Sequence, residues 1–286
     1  MHGMREMPTT WSCGRFHFDF TKHYRPLVMG ILNATPDSFS DGGLYRTAKD
    51  AIAHAEQMIH DGVDLIDIGG ESTRPGAVPV GLQEELDRVM PVIEALKDCG
   101  VPLSIDTYKS ETMRQALMAG VDCVNDIWAL RQEGSVDIVA NNNHCGVILM
   151  HMQRDPLTMQ FNPDYLDVIV EVKQFLEERA LLLISKGVDK NRIAIDPGFG
   201  FGKGLEHNLE MLSRFNSFTQ LSYPVLAGIS RKSMIGRITG KEANDRIAPS
   251  VAAVVMAADR GAKIVRVHDV AETIDALKLW EAIQGH

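Results

Sequence analysis

Residues 64–106 read DLIDIGGESTRPGAVPVGLQEELDRVMPVIEALKDCGVPLSID, and this stretch decides the fold class. It contains two short apolar runs, Asp64–Gly69 and Pro102–Asp106, on either side of the amphipathic segment Leu82–Asp98. The apolar positions of that segment recur near helical spacing, at Leu82, Leu86, Val89, Ile93 and Leu96. Both short runs show little alternation of apolar and polar residues, which is typical of parallel strands buried on both faces. The stretch therefore predicts one complete strand–helix–strand unit.

The same alternation continues along the chain. Eight runs are candidate strands: Val28–Asn33, Asp64–Gly69, Pro102–Asp106, Asp122–Ile127, Gly146–His151, Arg192–Asp196, Pro224–Ile229 and Lys263–His268. Helical patterns are found at Ala48–His60, Leu82–Asp98, Tyr165–Ser185, Asp245–Arg260 and Val270–Ile283. No linker divides the chain, so residues 1–286 are predicted to form one α/β domain, a single (β/α)₈ TIM barrel. An open doubly wound sheet is the alternative, because periodicity alone does not prove closure.

A segment of alternating character precedes the first strand. It covers Trp11–Phe20, around Cys13-Gly14, inside an N-terminal extension of residues 1–25. Alternation around a glycine turn is typical of a β-hairpin. We expect this hairpin to close the bottom of the barrel.

Composition and charge exclude several classes of protein. The net charge is −9, from 29 Lys and Arg against 38 Asp and Glu. This balance argues against a nucleic-acid binder, because a phosphate backbone requires a basic face. No membrane association is expected, since no apolar run reaches the ~18 residues of a spanning helix and the N-terminus lacks the apolar core of a signal peptide. The four cysteines show no metal-ligand spacing, so reduced thiols and a cytoplasmic location are expected.

Each predicted strand ends in polar or ionisable residues. In a barrel of this type, chemistry belongs to the C-terminal strand ends and the loops after them. The residues at or near these ends include Asn33, Asp106, Asn125, Asp126, His151, Asp196, Lys232, Arg266 and His268, and the second strand carries Asp67 in its interior. Each has a structural alternative: Asp67 and Asp126 as loop caps, for example, and His151 as a core histidine. Together they predict a ligand site, because buried polar groups without partners are costly.

The residue types indicate the chemistry of the ligand. Asp196 and Asn125 suit a flat heterocycle, because a carboxylate accepts two parallel N–H bonds and an amide both donates and accepts. Lys232 is suited to donate to a ring carbonyl, and the planar guanidinium of Arg266 is suited to stack on a ring. These features predict recognition of a nitrogen-rich ring.

Donors for an anion occur at Thr73-Arg74 and at Arg266 with His268. A short helix predicted at Ser230–Met234 would add an N-terminus that favours negative charge. Asn33 supplies a neutral oxygen, which suits Mg²⁺ held mainly by substrate phosphates and water. No phosphate loop of the ATPase type is present, and the glycines after Asp196 lack dinucleotide-binding spacing.

Eight motifs in chain order, one per strand end, carry a resemblance to a known family. They are MGILNATPDSFSDGG (Met29–Gly43), DIGGESTRPGA (Asp67–Ala77), SIDT (Ser104–Thr107), VNDI (Val124–Ile127), LMHMQ (Leu149–Gln153), IDPGFGFGK (Ile195–Lys203), GISRKSMIG (Gly228–Gly236) and RVHDV (Arg266–Val270). With them the chain closely resembles the dihydropteroate synthases of the folate pathway. The resemblance implies a homodimeric (β/α)₈ barrel and a sulfonamide target. It also implies an enzyme that joins 6-hydroxymethyl-7,8-dihydropterin diphosphate to p-aminobenzoate, giving 7,8-dihydropteroate and diphosphate with Mg²⁺.

The resemblance implies roles for the residues that match these motifs. The pterin would be held by Asp106, Asn125, Asp196, Lys232 and, through stacking, Arg266. The diphosphate would be held by Thr73, Arg74, Arg266 and His268, and Mg²⁺ by Asn33. The p-aminobenzoate site would be lined by Phe39, Pro75, Phe201, Lys232 and Ser233. The implied catalytic set is Asp106, Asp196, Lys232, Arg266 and His268.

The implied reaction is dissociative: diphosphate leaves in an SN1-like step, because the aromatic amine is a weak nucleophile. Loop one (Thr35–Arg46) and loop two (Gly70–Val80) are expected to close over the diphosphate. The two last helical segments are the expected dimer surface. Two alternatives stay open: a pterin-binding methyltransferase domain, which would not need Mg²⁺ or diphosphate donors, and a pterin-binding protein without catalysis. The anion donors favour the synthase.

Overall fold

The computed structural model describes residues 8–22, 25–35, 48–72, 79–153 and 163–285. Within these ranges the strands are β1 (Thr10–Cys13), β2 (Phe16–Asp19), β3 (Leu27–Asn33), β4 (Leu65–Gly69), β5 (Leu103–Asp106), β6 (Cys123–Asp126), β7 (Gly146–Met150), β8 (Ile193–Asp196), β9 (Leu226–Ala227) and β10 (Ile264–Val267). The α-helices are α1 (Ala48–His60), α2 (Leu82–Leu96), α3 (Ser110–Ala119), α4 (Ser135–Asn141), α5 (Val168–Ser185), α6 (Leu205–Ser213), α7 (Asn216–Thr219), α8 (Ser233–Thr239), α9 (Ile247–Asp259) and α10 (Val270–Gln284).

Strands β3 to β10 form one parallel sheet that closes into a barrel. The strand order is β8-β7-β6-β5-β4-β3-β10-β9, and every neighbouring pair is parallel. A parallel bridge between Ile195 of β8 and Val225, the residue before β9, joins the two ends of this order. At least one helix lies between each strand and the next. The predicted (β/α)₈ barrel is confirmed, and the open doubly wound sheet is wrong.

The helix α2 shows how the amphipathic segments cover the barrel. Val89, Ile93 and Leu96 are buried, in the same apolar layer as Ile66 and Ile68 of β4. Each buried side chain of this size contributes about 1.5–3 kcal/mol to stability. The first position of the predicted stripe differs, because Leu82 is 39% exposed. The apolar contact therefore begins about one turn after the helix starts.

The short helices are where the sequence pattern and the structure differ. The helices α3, α4, α6 and α7 are absent from the prediction; α4 and α7 have only seven and four residues, too few for periodicity to indicate a helix. The helix predicted at Ser230–Met234 begins later, at Ser233, and continues to Thr239. Arg231 has φ +56° and Lys232 is extended, so neither residue has a helical conformation.

The predicted hairpin is present as β1 and β2, and it covers the N-terminal end of the barrel. Trp11 is fully buried, and its Nε1 donates to the carbonyl of Arg192, just before β8, at 3.2 Å. Trp11 belongs to one apolar cluster with residues of the hairpin and of seven barrel strands. The other members are Cys13, Phe20, Leu27, Met29, Leu65, Cys123, Ile148, Ala194, Leu226 and Ile264. The bottom of the barrel is therefore filled and closed.

Two further observations concern the environment of the chain. Among the described residues, no helix is long and apolar enough to cross a membrane. The four cysteines, Cys13, Cys99, Cys123 and Cys145, are free thiols.

Candidate active site

A cavity of about 310 Å³ lies at the C-terminal ends of the barrel strands. Its walls are formed by residues of β3, β5, β6, β7, β8 and β10 and by the turns after β8 and β9. Nine predicted site residues line it: Asn33, Asp106, Asn125, Asp196, Phe201, Lys232, Ser233, Arg266 and His268. The other four, Phe39, Thr73, Arg74 and Pro75, lie outside the described residues. The structure thus brings together every predicted site residue that it describes.

The guanidinium of Arg266 organises the floor of the cavity. Its Nε donates to Asp67 Oδ2 and its Nη2 donates to Asp106 Oδ2, both at 2.6 Å. Asn125 Nδ2 donates to the same Asp67 oxygen at 2.9 Å. The second oxygen of Asp106 is buried and accepts no hydrogen bond from the described residues. Because an unpaired buried acceptor costs free energy, this oxygen favours a ligand that supplies an N–H or O–H donor.

Asp67 is a buried residue for which the sequence predicted no specific contact at the site. It is fully buried beneath the cavity and holds both Arg266 and Asn125. The loop-cap interpretation is therefore wrong for this residue. A signal was available, because Asp67 lies between Ile66 and Ile68 inside an apolar strand rather than at its end. A charged residue at such a position points into the barrel, where only another polar group can satisfy it.

Two other polar strand-end residues have structural partners. Asp126 is a loop cap as considered above, since its two oxygens accept the N–H groups of Trp128 and Leu130, both at 2.7 Å. His151 is buried, and its Nδ1 lies 2.9 Å from Lys203 Nζ. Burial and the Lys203 charge hold the pKa of His151 well below its ordinary value. Neither residue lines the cavity, so neither is assigned a contact with substrate.

Asp196 is held by the glycine-rich turn that follows β8. Its Oδ1 accepts the Gly198 N–H at 2.7 Å. Gly198 has φ +74°, and a Cβ there would lie 2.0 Å from the carbonyl oxygen of His151, so the turn requires glycine at this position. The same turn places the ring of Phe201 4.1 Å from Lys232 Nζ. Two predicted p-aminobenzoate residues are therefore packed together in a cation–π contact.

The turn after β9 positions the basic side of the cavity. Arg231 forms an ion pair with Asp269, and its Nε donates to Asp269 Oδ2 at 3.0 Å. Arg246, which also lines the cavity, donates to the carbonyl of Arg231 at 3.0 Å. His268 Nδ1 lies 3.1 Å from Ser230 Oγ. These contacts hold the turn at both sides and fix the histidine ring at the cavity wall.

Burial raises the pKa values of two carboxyl groups in the cavity, those of Asp106 and Asp196. It raises the pKa of Asp106 to about 7, although the charge of Arg266 opposes the shift. It raises the pKa of Asp196 to about 6, against the Gly198 N–H and the charge of Lys232. Perturbed carboxyl groups inside a cavity are typical of functional sites.

Comparisons with known proteins show which family the chain belongs to. The pterin binding enzyme family matches residues 29–268 of the chain. A dihydropteroate synthase of Neisseria meningitidis serogroup C is 50% identical over 277 residues, covering 96% of this chain and 97% of the relative. The chain belongs to the dihydropteroate synthase family. It is therefore an enzyme, a transferase that acts on a pterin-methyl group.

Two solved structures of this family superpose closely on the chain. The dihydropteroate synthase of Burkholderia cenocepacia complexed with 7,8-dihydropteroate has a TM-score of 0.89 and 50% identity, over 98% of each chain. The Yersinia pestis dihydropteroate synthase in complex with a sulfonamide drug has a TM-score of 0.92 and 43% identity, over 97% of this chain and 100% of that one. The barrel and its hairpin are therefore shared with other dihydropteroate synthases.

Asn33 remains the candidate ligand of Mg²⁺ in this family member. In the described ranges, no group of three or more His, Cys, Asp or Glu could hold a metal. Asn33 is paired in register with Gly69, where a Cβ would lie 3.9 Å from Asn33 Oδ1 and 3.7 Å from Asp106 Oδ2. Asp106 Oδ2 is already paired with Arg266, so the neutral oxygen of Asn33 is the donor here that fits Mg²⁺ when phosphates and water supply its other ligands.

Proposed function

We propose that the chain condenses 6-hydroxymethyl-7,8-dihydropterin diphosphate with p-aminobenzoate, giving 7,8-dihydropteroate and diphosphate. One observation carries the proposal: Asp106, Asn125, Asp196 and Arg266 face one cavity of about 310 Å³. The relative that is complexed with 7,8-dihydropteroate supports the same product for this chain.

The pterin is proposed to bind at the cavity floor. Asp196 offers a carboxylate held in place by the Gly198 N–H, and Asp106 offers an oxygen without a donor among the described residues. A carboxylate suits the amidine-like edge of a pterin, because it accepts two parallel N–H bonds. Asn125, fixed by Asp67, adds a group that both donates and accepts. Arg266 has its plane fixed by two carboxylates, which favours stacking on the ring.

The p-aminobenzoate is proposed to bind between the turns after β8 and β9. Phe201 supplies an aromatic wall, and the neighbouring Lys232 and Ser233 supply donors. Lys232 Nζ already lies 4.1 Å from the Phe201 ring centre. An aromatic carboxylate is suited to such a wall, because its ring packs on Phe201 while its charge meets the ammonium. Phe39 and Pro75 are proposed to complete this wall.

The reaction is proposed to be dissociative, with loss of diphosphate ahead of attack by the amine. His268, fixed by Ser230, and Arg266 would donate to the departing diphosphate, together with Thr73 and Arg74. Asn33 would hold Mg²⁺, which would neutralise part of the developing charge. Asp106 and Asp196 would stabilise the positive charge that is left on the pterin, since preorganised charges act strongly in a buried site.

The decisive experiment measures diphosphate release with purified protein, the dihydropterin diphosphate and Mg²⁺, with and without p-aminobenzoate. Release that rises with p-aminobenzoate and yields dihydropteroate supports the synthase. Tight pterin binding with no release would favour the methyltransferase or the non-catalytic alternative, and methyl donors would then be tested. Omitting Mg²⁺ tests the metal: unchanged release would remove Asn33 from its proposed role.

Arg74→Ala separates the two subsites. We expect bare pterin affinity to be unchanged and diphosphate binding to be weaker, because Arg74 is proposed to contact only the anion. Calorimetry with each ligand alone checks this. Equal loss of pterin affinity in this variant and in Asp196→Ala would contradict the assignment of the subsites.

The chain is proposed to form a homodimer through its last helices. Large apolar residues are exposed on α8, α9 and α10, at Ile238, Met256, Leu279 and Ile283. Exposed apolar side chains on neighbouring helices favour burial against a second subunit. Analytical ultracentrifugation of Leu279→Asp beside the wild type tests the surface, and an unchanged dimer would exclude α10 as its centre.

The cytoplasm is proposed as the location, where the four free thiols would stay reduced. Cell fractionation checks it.

A further inference from the structure

Lys203 is a buried charge beside the site to which the proposed reaction gives no role. Lys203 is only 4% exposed to solvent. Its Nζ donates to the carbonyl oxygens of Gly198 and Phe201, both at 2.9 Å, and lies 3.3 Å from that of His151. The Nδ1 atom of His151 is a further neighbour at 2.9 Å. The ammonium is therefore enclosed by acceptors from the turn after β8 and from the end of β7.

We propose that Lys203 is a positioning residue for the second substrate, whose ammonium holds the turn Gly198–Gly202 in the shape that aims Phe201 at Lys232. The proposal rests on the function proposed above. The turn has little preference of its own for this shape, because three of its five residues are glycines with positive φ. Charge-assisted hydrogen bonds to two of its carbonyl groups stabilise one conformation out of many.

The effect on the cavity follows from what the turn carries. Gly198 donates to Asp196, and Phe201 lies against Lys232. A Cβ on Gly200 would lie 3.3 Å from Lys232 Cδ, so the turn backbone also packs on that side chain. The other pterin residues are on β5, β6 and β10, away from the turn. Loss of the ammonium should therefore weaken p-aminobenzoate binding more than pterin binding.

Charged groups face Lys203 from several elements. Asp196 of β8 attracts it, and Lys232, before α8, repels it. Burial, Lys203 and Arg131 all lower the pKa of His151, the residue that follows β7. Burial lowers the pKa of Lys203 to about 7, and the attraction of Asp196 only partly opposes this. The ammonium therefore loses its proton as the pH rises above neutral, and its hold on the turn is then weakened, because the hydrogen bonds of a neutral amine are no longer charge-assisted.

The test compares three proteins in steady-state assays. For Lys203→Met, which keeps the length of the side chain without its charge, we expect the KM for p-aminobenzoate to rise about tenfold, with kcat changed about threefold or less. Lys203→Arg should restore much of the KM, because it keeps the charge. Arg192→Met is the matched control: Arg192 is also a buried cation on carbonyl groups, those of Cys145 and Val139, but at the opposite end of the barrel.

The control separates positioning from stability. Arg192→Met should lower the melting temperature without changing the KM. If Lys203→Met keeps the wild-type KM, or if both variants lose activity only in proportion to their unfolded fraction, Lys203 is not a positioning residue. The pH dependence of the wild-type KM tests the proposal without a substitution that removes the charge of Lys203. The KM for p-aminobenzoate should rise between pH 7 and pH 9, and this rise should be absent in Lys203→Arg; a flat wild-type profile would overturn the proposal.

A binding measurement keeps this proposal distinct from the proposed function. The charge of Lys203 lowers the pKa of Asp196, so Lys203→Met should move the acid limb of bare pterin binding to higher pH in calorimetry. Arg192→Met should not. If the wild type releases no diphosphate, the proposed function fails, while this shift still decides whether Lys203 acts on the site.

Discussion

The two ends of the barrel interior are built from the same strands. The inward-facing residue of the lower layer and that of the upper layer are two positions apart on each strand. On four strands an inward position near the bottom carries a small or apolar side chain, and the next inward position carries a polar one. The pairs are Leu65 and Asp67, Cys123 and Asn125, Ala194 and Asp196, and Ile264 and Arg266. Residues two apart on a strand face the same side and are separated by about 6.6 Å. One such step changes the interior from packed core to binding site.

The difference lies in how the polar groups at each end are satisfied. At the bottom, Trp11 Nε1 has the carbonyl of Arg192 as its partner, and Asp122 accepts from Arg15 and from the Leu103 N–H. At the top, Asp67 and Asp106 each keep one buried oxygen without a donor among the described residues. These groups at the bottom are therefore satisfied within the protein, whereas the top is stabilised further by a ligand.

The largest expected effect is on stability, at the bottom. Trp11→Ala should lower the free energy of unfolding by about 3–5 kcal/mol, because it removes a fully buried ring and leaves a cavity. Chemical denaturation measures this loss. The KM values of the folded fraction should stay at wild type. A selective change in KM would mean that the hairpin controls the shape of the site.

The next effect is on binding, at the top. Asp196→Ala should weaken bare pterin binding by about 3 kcal/mol, because a buried charge-assisted acceptor is lost. Its stability should fall little, since burial already disfavours the charged form of this carboxyl. Asp189→Ala is the control, because Asp189 caps the short turn before β8 at the opposite end. Pterin affinity is measured by titration calorimetry. An equal loss of affinity in both variants would contradict the assignment of pterin binding to the top of the barrel.

A third expected effect is on pH dependence. The pKa values of Asp106 and Asp196 are raised to about 7 and about 6, so both groups take up protons as the pH falls through these values. A protonated carboxyl no longer accepts two N–H bonds, and pterin affinity should fall on the acid side, by up to about tenfold per pH unit for each group below its pKa. Calorimetry from pH 5 to pH 8 checks the sign. Asp196→Asn should remove the lower of the two transitions.

The sequence predicts some features of the two ends of the barrel and not others. The barrel followed from the period of the strands and long helices, as in β4, α2 and β5. The bounds of α8 could not be predicted in this way, because a hydrophobic pattern does not indicate the positive φ of Arg231. Asp67 and Asp126 are both aspartates of apolar strands, yet one holds Arg266 and the other caps a loop. The direction of each side chain decides between these roles, and that direction depends on strand register.

The smallest expected effect tests whether the two ends are independent. Arg15 is half exposed, and its Nε donates to Asp122 Oδ1 at 2.9 Å. Arg15→Ala should lower the free energy of unfolding by only about 1 kcal/mol, because exposed ion pairs contribute little and the backbone N–H groups of residues 15 and 103 still donate to Asp122. Asp122 directly precedes β6, which carries Asn125 at its other end. If the variant shows the small loss of stability and an unchanged pterin affinity, β6 transmits no strain from the bottom of the barrel to the top. A weaker pterin affinity would show that the packed end sets the geometry of the binding end.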